Sequence, residues 1–281
     1  MAPSEKNDFF TGQDGLKIFY RKYGADNERA GLVITHGLGE HSGRYGNVIG
    51  PLLPMGISIW ALDHRGHGQS EGPKGHVSAF EEYLKDLGTM IQLAKRELAP
   101  DTKCFLFGHS LGGLIALSFA LKFPEVIDGI IASCPNLGIT VKVPVFKMFL
   151  AKVMSSIWPR LTLGNGIDTS KLSHDDEVVR AYVDDPLVHD RVSTRWFTEM
   201  LAAMKKANQS ASQLAVPTLI QAAGEDYLSS TIATKRFFEK LTVNDRTLHI
   251  YEGFYHEIYN ESEDQRAEVL KDLEVWLEAH I

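Results

Sequence analysis

Residues 104–121, CFLFGHSLGGLIALSFAL, form an 18-residue run without a formally charged side chain. An apolar run of this length suggests a membrane-spanning helix. The run also contains three glycines, two serines and a histidine. A buried strand that leads through a tight turn into a buried helix explains both the apolar residues and the glycines. We therefore predict a strand, a turn and a helix here rather than a membrane anchor.

Short apolar runs alternate with helical patterns over most of the chain. Several of these runs are apolar at consecutive positions, as in a parallel sheet that is covered on both faces. The strand candidates are Leu16–Tyr20, Leu32–Thr35, Ile57–Leu62, Cys104–Phe107, Ile127–Ala132, Thr218–Ala222 and Thr247–Tyr251. The helix candidates are Arg44–Leu53, Ala79–Leu98, Leu111–Lys122, Thr231–Leu241 and Asp264–Ala279. This alternation predicts a doubly wound α/β fold.

The alternation stops between about Pro135 and Ala207 and resumes at Pro217. The intervening segment has helical patches and no convincing strand, and its length of about seventy residues suits a small subdomain. We predict a core of residues 1–135 and 208–281, into which residues 136–207 insert a helical cap. Within the cap, Val145–Leu161 is rich in Phe, Met, Ile and Trp. This stretch is either an ordinary core helix or a lid helix that faces a substrate or a membrane.

Composition excludes several classes of protein. Hydrophobic residues make up 44% of the 281 residues and charged residues 23%, so the chain is not intrinsically disordered. A net charge of −7 without a basic stripe argues against a nucleic-acid partner. Cys104 and Cys134 lie in apolar surroundings, which predicts buried, reduced thiols. The N-terminus has no signal-peptide pattern, so we expect an intracellular, cytoplasmic protein.

Gly108-His109-Ser110-Leu111-Gly112 lies where the predicted central strand meets its helix. This is the G-x-S-x-G nucleophile elbow in its strand–turn–helix context. The glycines relieve steric crowding around a sharp turn whose central backbone is strained. The turn projects the Ser110 hydroxyl above the sheet and sets a helix N-terminus beside the reacting carbon. The alternative is a glycine-rich turn that holds an inert serine.

A serine nucleophile needs a base, and the base needs an acid that orients it. In this architecture the chain order is Ser, acid, His, with each residue just past the end of a strand. The strand candidate Thr218–Ala222 is followed by Glu225 and Asp226. The strand candidate Thr247–Tyr251 is followed by His256. We predict that Asp226 is the acid and His256 the base, with Glu225 as the rival acid.

Acyl transfer also needs donors for the developing oxyanion. The backbone N–H of Leu111, directly after the nucleophile, is one candidate. The other lies in the loop His36-Gly37-Leu38-Gly39, which follows a predicted strand. The N–H of Leu38 is favoured there, because the glycines on either side let the loop come close.

Three longer motifs closely resemble the monoacylglycerol lipase group of the α/β-hydrolases: HGLGEHSGRY at 36–45, DHRGHGQSEG at 63–72 and GHSLGG at 108–113. The resemblance implies an α/β-hydrolase fold, with a mostly parallel eight-stranded sheet, helices on both faces and a helical cap after the sixth strand. It implies hydrolysis of monoacylglycerols to a free fatty acid and glycerol without a cofactor. The site residues that it implies are a triad of Ser110, Asp226 and His256, an oxyanion hole of Leu38 and Leu111, and a polar glycerol-side pocket with Glu40 and Arg44.

Two departures from the family pattern concern the substrate. Mammalian members tend to carry a second histidine three residues after the catalytic one, near the alcohol pocket. Here Tyr259 stands at that position, so it is the candidate substrate contact and the contacts to glycerol are expected to differ. Residues 136–207 are not recognisably close to those members, although chain-length preference is determined there. The resemblance therefore implies a reaction class and leaves the acyl chain length open.

Other functions fit parts of the sequence. A lysophospholipase would need cationic groups for a phosphate, and Lys142, Lys147 and Lys152 are candidates. A general carboxylesterase for small esters, or a peptidase specific for N-terminal residues, fits the apolar lid less well. A non-catalytic relative that binds a ligand would usually lack a triad member. The glycine and histidine spacings match neither a dinucleotide fingerprint nor a zinc motif, so we expect no cofactor and no metal.

The implied substrate is a lipid ester that resides in bilayers. We therefore expect transient contact of the cap with a membrane surface or lipid droplet. The alternative for the cap lysines is a solvated face. The candidate contacts are Phe146, Phe149 and Trp158. The oligomeric state is open.

Overall fold

The computed structural model describes residues 5–140 and 145–281, apart from the side chains of residues 145, 147 and 149. Lys142 and the side chains of Lys147 and Phe149 thus lie outside the described residues. The described strands are β1 (Glu5–Thr11), β2 (Lys17–Tyr23), β3 (Ala30–Thr35), β4 (Ile57–Leu62), β5 (Lys103–His109), β6 (Gly129–Ser133), β7 (Thr162–Gly164), β8 (Arg191–Ser193), β9 (Thr218–Ala223) and β10 (Arg246–Tyr251). The described α-helices are α1 (Gly46–Leu52), α2 (Glu81–Glu97), α3 (Leu111–Lys122), α4 (Val145–Ile157), α5 (Asp176–Asp184), α6 (Thr194–Ser210), α7 (Thr231–Glu239) and α8 (Glu263–His280).

Eight of the strands form one sheet in the order β1-β2-β4-β3-β5-β6-β9-β10. In this sheet β4, β3, β5, β6, β9 and β10 run parallel to one another, whereas β2 pairs antiparallel with both β1 and β4. The mostly parallel eight-stranded sheet is therefore confirmed. Strand β1 was not among the strand candidates, because all but one of its residues are exposed and it lacks a buried face.

Helices cover both faces of this sheet. Along the central strands, Val33 and Leu106 face the side packed by α2, α3 and α7. Their neighbours Ile34 and Phe107 face the other side, which is packed by α1 and α8. Because consecutive strand residues point to opposite faces, a strand buried on both must be apolar throughout. This arrangement explains the consecutive apolar positions in the sequence.

Polar side chains begin several of the helices. Asp175, Ser193 and Ser230 are the N-caps of α5, α6 and α7, and each accepts a hydrogen bond from a backbone N–H of the first turn. Such caps satisfy N–H groups that have no partner inside the helix and contribute about 1 kcal/mol each. They help to set where the helices start around the sheet.

Between β6 and β9 the chain leaves the sheet and forms α4, β7, α5, β8 and α6. Strands β7 and β8 pair antiparallel, with Leu163 opposite Val192. The prediction of a segment without strands was therefore wrong, because strands of three residues are too short to show an alternating pattern. The predicted boundary after residue 207 falls inside α6, which packs into the core through Met204 and Ala207. The division into core and cap stays a prediction.

The uncharged run at 104–121 forms most of β5, the turn at Ser110 and almost all of α3, as predicted. Across the described ranges, none of the helices combines the length and apolar character needed to cross a bilayer. The carboxyl ends of β3, β5, β9 and β10 lie along one edge of the sheet. Sites in open α/β sheets form at this edge, and the candidate residues follow these four strands.

Candidate active site

Ser110 occupies a strained turn between β5 and α3. Its φ of 54° and ψ of −116° are unusual for a residue with a side chain. Its backbone N–H donates to the Ser133 carbonyl at 2.9 Å, and its carbonyl accepts from the N–H groups of Leu114 at 3.1 Å and Asn136 at 3.0 Å. The neighbouring strand and helix thus hold the turn in this conformation.

The two glycines of the elbow are required by close backbone approach. A Cβ on Gly108 would lie 2.3 Å from the carbonyl oxygen of Gly112. A Cβ on Gly112 would lie 2.1 Å from the carbonyl oxygen of Thr35. The Thr35 hydroxyl also donates to the Gly112 carbonyl at 2.8 Å. A side chain at Gly108 would clash with the first turn of α3, and one at Gly112 would push the elbow away from β3. The steric reason inferred from the sequence matches these contacts.

His256 and Asp226 lie together as predicted from chain order. The imidazole Nδ1 is 2.8 Å from Asp226 Oδ2, and both side chains are buried. Since a carboxylate only accepts, Nδ1 carries the proton and Nε2 is left as the basic nitrogen. Asp226 Oδ1 accepts from the backbone N–H groups of Leu228 and Ser229, each at 2.8 Å. Glu225, the rival acid, is exposed.

The charges of this pair follow from opposing effects. Burial lowers the pKa of His256, but the charge of Asp226 and its hydrogen bond outweigh burial, so the pKa of His256 is raised above 6.5. Burial raises the pKa of Asp226, but His256 and the two backbone N–H groups outweigh it and lower that pKa. Asp226 is therefore a stable carboxylate that favours proton uptake by His256.

Ser110 and His256 line the same cavity of about 400 Å³. In the structure as described, no hydrogen bond joins the Ser110 hydroxyl to His256. Catalytic hydrogen bonds of this kind are often long in the free enzyme and tighten when substrate binds. The structure thus brings the acid and base together and sets the serine in the same cavity.

His109, the residue before the nucleophile, packs against the base. Its ring centroid lies 4.8 Å from that of His256, and its Nδ1 is 3.1 Å from the Ser133 hydroxyl. Burial lowers the pKa of His109 to about 4. A neutral ring beside His256 adds no positive charge that would oppose protonation of the base.

The two predicted oxyanion donors have no other partner among the residues that the structure describes. Gly37 donates its backbone N–H to Glu40 Oε1 at 2.6 Å, and the next residue, Leu38, lines the cavity beside Ser110. Within residues 5–140 and 145–281, neither the Leu38 N–H nor the Leu111 N–H has an acceptor in the protein. Both groups are available to a substrate oxygen.

The loop with Leu38 is braced by two buried histidines. The His64 N–H donates to His36 Nε2 at 2.9 Å, so His36 is neutral and donates from Nδ1 to the Gly37 carbonyl at 2.7 Å. His64 Nε2 donates to the His36 carbonyl at 3.0 Å. The motifs at 36–45 and 63–72 thus contact each other behind the oxyanion loop.

Glu40 and Arg44 belong to a buried ion network with Glu257. Arg44 donates to Glu40 Oε2 at 2.7 Å and to both oxygens of Glu257 at 2.7 and 2.8 Å. Burial raises the pKa of Glu257, but Arg44 outweighs it and lowers that pKa to about 2. Two carboxylates thus share one guanidinium and leave the network negative. Sequence reasoning missed Glu257, although it directly follows the predicted base.

Tyr259 contributes to a small cavity between this network and the sheet, together with Glu40, Arg44 and His109. Its hydroxyl donates to Gln221 Oε1, and its ring packs edge-on against Phe107 at 5.5 Å. The hydroxyl is therefore engaged within the core. The contact of Tyr259 with substrate stays a prediction.

The main cavity is mostly apolar away from Ser110 and His256. Its apolar lining comes from the loop after β3, from the chain between β6 and β9 and from the loop after β9. These residues are Leu38, Ile139, Ile167, Leu172, Val192, Trp196, Phe197, Met200 and Leu228. Such a cavity suits a ligand with a long hydrocarbon portion.

Cys134 completes a set of three potential metal ligands with Asp226 and His256, whose ligand atoms lie within 4.8 Å of one another. Burial raises the pKa of the Cys134 thiol well above its usual range. The sulfur accepts a hydrogen bond from the Ala223 N–H at 3.3 Å. The other two groups of the set, His256 and Asp226, are hydrogen-bonded to each other.

A family model and two similar proteins identify the family of this chain. The Hydrolase_4 family model, serine aminopeptidase S33, matches residues 26–263. The monoacylglycerol lipase of Mycolicibacterium smegmatis is 30% identical over 97% of this chain and 96% of its own length. The phospholipase YtpA of Bacillus subtilis is 31% identical over 92% of this chain and 98% of its own length.

A solved structure agrees with these matches. The crystal structure of Paleococcus ferrophilus monoacylglycerol lipase has a TM-score of 0.87 and 38% identity, and the match covers 94% of this chain and 99% of the other. The α/β-hydrolase fold is thereby confirmed. This chain belongs to the Hydrolase_4 family of α/β-hydrolases and, within it, to the monoacylglycerol lipase group.

Proposed function

We propose that this protein is a serine hydrolase that cleaves monoacylglycerols to a fatty acid and glycerol through an acyl-enzyme intermediate. The observation that carries the proposal is that His256, hydrogen-bonded to Asp226, lines the same cavity as Ser110. Relatives such as the Mycolicibacterium and Paleococcus monoacylglycerol lipases support the substrate class.

In the proposed mechanism, the Ser110 oxygen attacks the ester carbonyl while His256 Nε2 takes the hydroxyl proton. Asp226 holds the other imidazole nitrogen and stabilises the imidazolium that forms. The N–H groups of Leu38 and Leu111 bind the tetrahedral oxyanion. His256 then protonates the departing glycerol oxygen. Water cleaves the acyl-enzyme by the same steps and releases the fatty acid.

The two sides of the site suit the two halves of this substrate. The acyl chain occupies the apolar cavity, which Trp196, Phe197 and Met200 of α6 line. The glycerol hydroxyls face the network of Glu40, Arg44 and Glu257, which offers carboxylate acceptors to a neutral polyol. Hydroxyl donors suit this negative network better than an anionic group does.

Phospholipase activity is the second candidate, because YtpA of Bacillus subtilis is similar over nearly its whole length. The negative network of Glu40, Arg44 and Glu257 argues against a phosphate on the alcohol side. In the cap, Lys152 is exposed and leaves a phosphate contact open on that side.

We also propose that residues 136–207 act as a cap that meets membrane or lipid-droplet surfaces. Large apolar side chains are exposed on and just after α4, namely Phe146, Met148, Leu150, Ile157 and Trp158. An exposed apolar helix face with lysine nearby suits the interface of a bilayer. The buried free thiols of Cys104 and Cys134 fit the proposed intracellular location.

A hydrolysis panel tests the proposed function. Monoacylglycerols of varied chain length, lysophospholipids and short esters are compared at equal concentration, with release of glycerol or alcohol as the readout. We expect the highest kcat/KM on a monoacylglycerol, and a preference for a lysophospholipid would replace this proposal by the second candidate. Labelling of Ser110 by a fluorophosphonate probe separates an enzyme from a ligand-binding relative, which would leave the serine unlabelled.

A further inference from the structure

We infer that Glu261 is a positioning residue that ties segment 171–174 of the insertion to the loop carrying His256. The inference deepens the proposed function and rests on it, since it concerns how the base of that reaction is held. Segment 171–174 comprises Lys171, Leu172, Ser173 and His174. It follows β7 and precedes α5, so it belongs to the part of the chain between β6 and β9.

The Glu261 carboxylate bridges this segment and the His256 loop. Its side chain is fully buried. One oxygen, Oε1, accepts from the Tyr255 backbone N–H at 2.6 Å and from His174 Nδ1 at 2.9 Å. The other oxygen accepts from the His174 N–H at 2.8 Å and the Ser173 hydroxyl at 3.2 Å. A single carboxylate thus joins the residue before His256 to the insertion.

The residue after His256 is held from the same segment. The backbone N–H of Glu257 donates to the Leu172 carbonyl at 2.8 Å. Both sequence neighbours of the base are therefore fixed by the insertion, Tyr255 through Glu261 and Glu257 directly. The backbone of His256 has little freedom to shift while both contacts persist.

Aromatic contacts extend the same link to the acid. The His174 ring stacks on the Tyr255 ring with centroids 3.6 Å apart. The Lys171 ammonium lies 4.7 Å from the ring centroid of Tyr227 and 5.0 Å from that of Tyr255. Tyr227 directly follows Asp226, so the segment contacts the neighbours of both members of the acid–base pair. Cation–π contacts of this length are attractive.

These contacts assign the insertion a role beyond covering the substrate. Misplacement of a catalytic group by about 1 Å lowers a rate about a hundredfold, even when the change lies away from the chemistry. Loss of the Glu261 bridge should therefore reduce kcat on every ester, including short ones that do not fill the acyl cavity. KM for a short ester should change little, because Glu261 does not line the cavity.

The test compares E261Q with E263Q on a short soluble p-nitrophenyl ester and on a monoacylglycerol. Gln keeps the size of the side chain, but its amide NH₂ cannot accept the N–H groups that the carboxylate oxygens receive. Glu263 is exposed and only two residues away, so E263Q is the matched control. The amount of folded enzyme is counted from the endpoint of fluorophosphonate labelling, which separates lost turnover from lost protein.

We expect E261Q to lower kcat about tenfold to a hundredfold on both substrates with KM within about threefold, and E263Q to match the wild type. H174A, at a half-exposed position, should lower kcat several-fold in the same way and decides the question if E261Q does not fold. An unchanged kcat in H174A, or in a folded E261Q, overturns the inference. The proposed function still stands in that case, because the unmutated protein hydrolyses the esters. Absence of ester hydrolysis by the wild type itself would overturn both.

Discussion

His256 donates a hydrogen bond from Nδ1 to Asp226 Oδ2 at 2.8 Å, and both side chains are almost fully buried. Asp226 raises the pKa of His256 above 6.5 against the effect of burial. Because the base must be neutral to accept the Ser110 proton, kcat/KM should rise with pH through a midpoint above 6.5. A pH–rate profile on a soluble ester measures this midpoint directly.

Asp226→Asn removes the charge that keeps the His256 pKa high. Burial then dominates, so the acid limb of the profile should move to lower pH, and kcat should fall on the order of 10⁴-fold. Glu225→Gln changes an exposed neighbour and serves as the control. An unchanged acid limb in Asp226→Asn would show that another group sets the profile.

The elbow should tolerate no side chain at Gly108. In Gly108→Ala the new Cβ would lie 2.3 Å from the Gly112 carbonyl oxygen, so we expect a loss of about 1–3 kcal/mol in unfolding free energy. Esterase activity should fall as well, because Ser110 moves with the turn. The control is Gly50→Ala in α1, where nothing lies within 4 Å of the new Cβ and a gain of up to about 1 kcal/mol is expected. Urea unfolding measures the free energy of unfolding of both variants. Equal stability of the two would contradict the close backbone contact at Gly108.

Arg44 should be essential for stability, because it neutralises two buried carboxylates. Arg44→Met leaves Glu40 and Glu257 without their guanidinium, and loss of one partner of a buried ion pair costs about 3–5 kcal/mol. Arg29→Met removes an exposed bidentate pair with Glu278 and should change stability little. Similar unfolding free energies for the two variants would mean that the buried network does not stabilise the fold.

The histidines behind the oxyanion loop should make the fold sensitive to acid. Burial lowers the pKa of His64 to about 4, whereas an unfolded histidine titrates near 6.5. Between these values the unfolded state binds a proton that the folded state does not, so stability present above pH 6.5 is lost as pH falls towards 4. His64 contributes about 3 kcal/mol to this loss, and His36 has the same sign. Urea unfolding from pH 7.5 to pH 4 measures the slope, which should be shallower in His64→Phe; a flat profile in the wild type would refute the account.

The arrangement of the centre of the molecule could be read from the sequence because local patterns determine it. Residues 104–121 contain a buried strand, two glycines at points of backbone contact and a buried helix, and the structure has these elements in place. Chain order and strand ends were enough to bring Asp226 beside His256. The catalytic roles of these residues remain predictions.

The parts that were missed depend on contacts between distant residues or on very short elements. Strand β1 has exposed residues on both faces, and β7 and β8 are only three residues long. None of the three strands therefore shows a periodic pattern of apolar residues in the sequence. The contacts of Glu261 with Ser173 and His174 span about 87 residues of sequence. No local pattern marks a carboxylate whose partners come from an insertion. The role of Glu257 was hidden for the same reason, since its partner Arg44 lies 213 residues away.

The most direct measurement is steady-state release of glycerol from a monoacylglycerol by the wild type and by Ser110→Ala, with folding checked by a cooperative thermal transition. Ser110 lies at the strained elbow in the cavity of His256, so removal of its hydroxyl should lower kcat by several orders of magnitude without unfolding the protein. A folded Ser110→Ala variant that releases glycerol at close to the wild-type rate would contradict the assignment of Ser110 as the nucleophile.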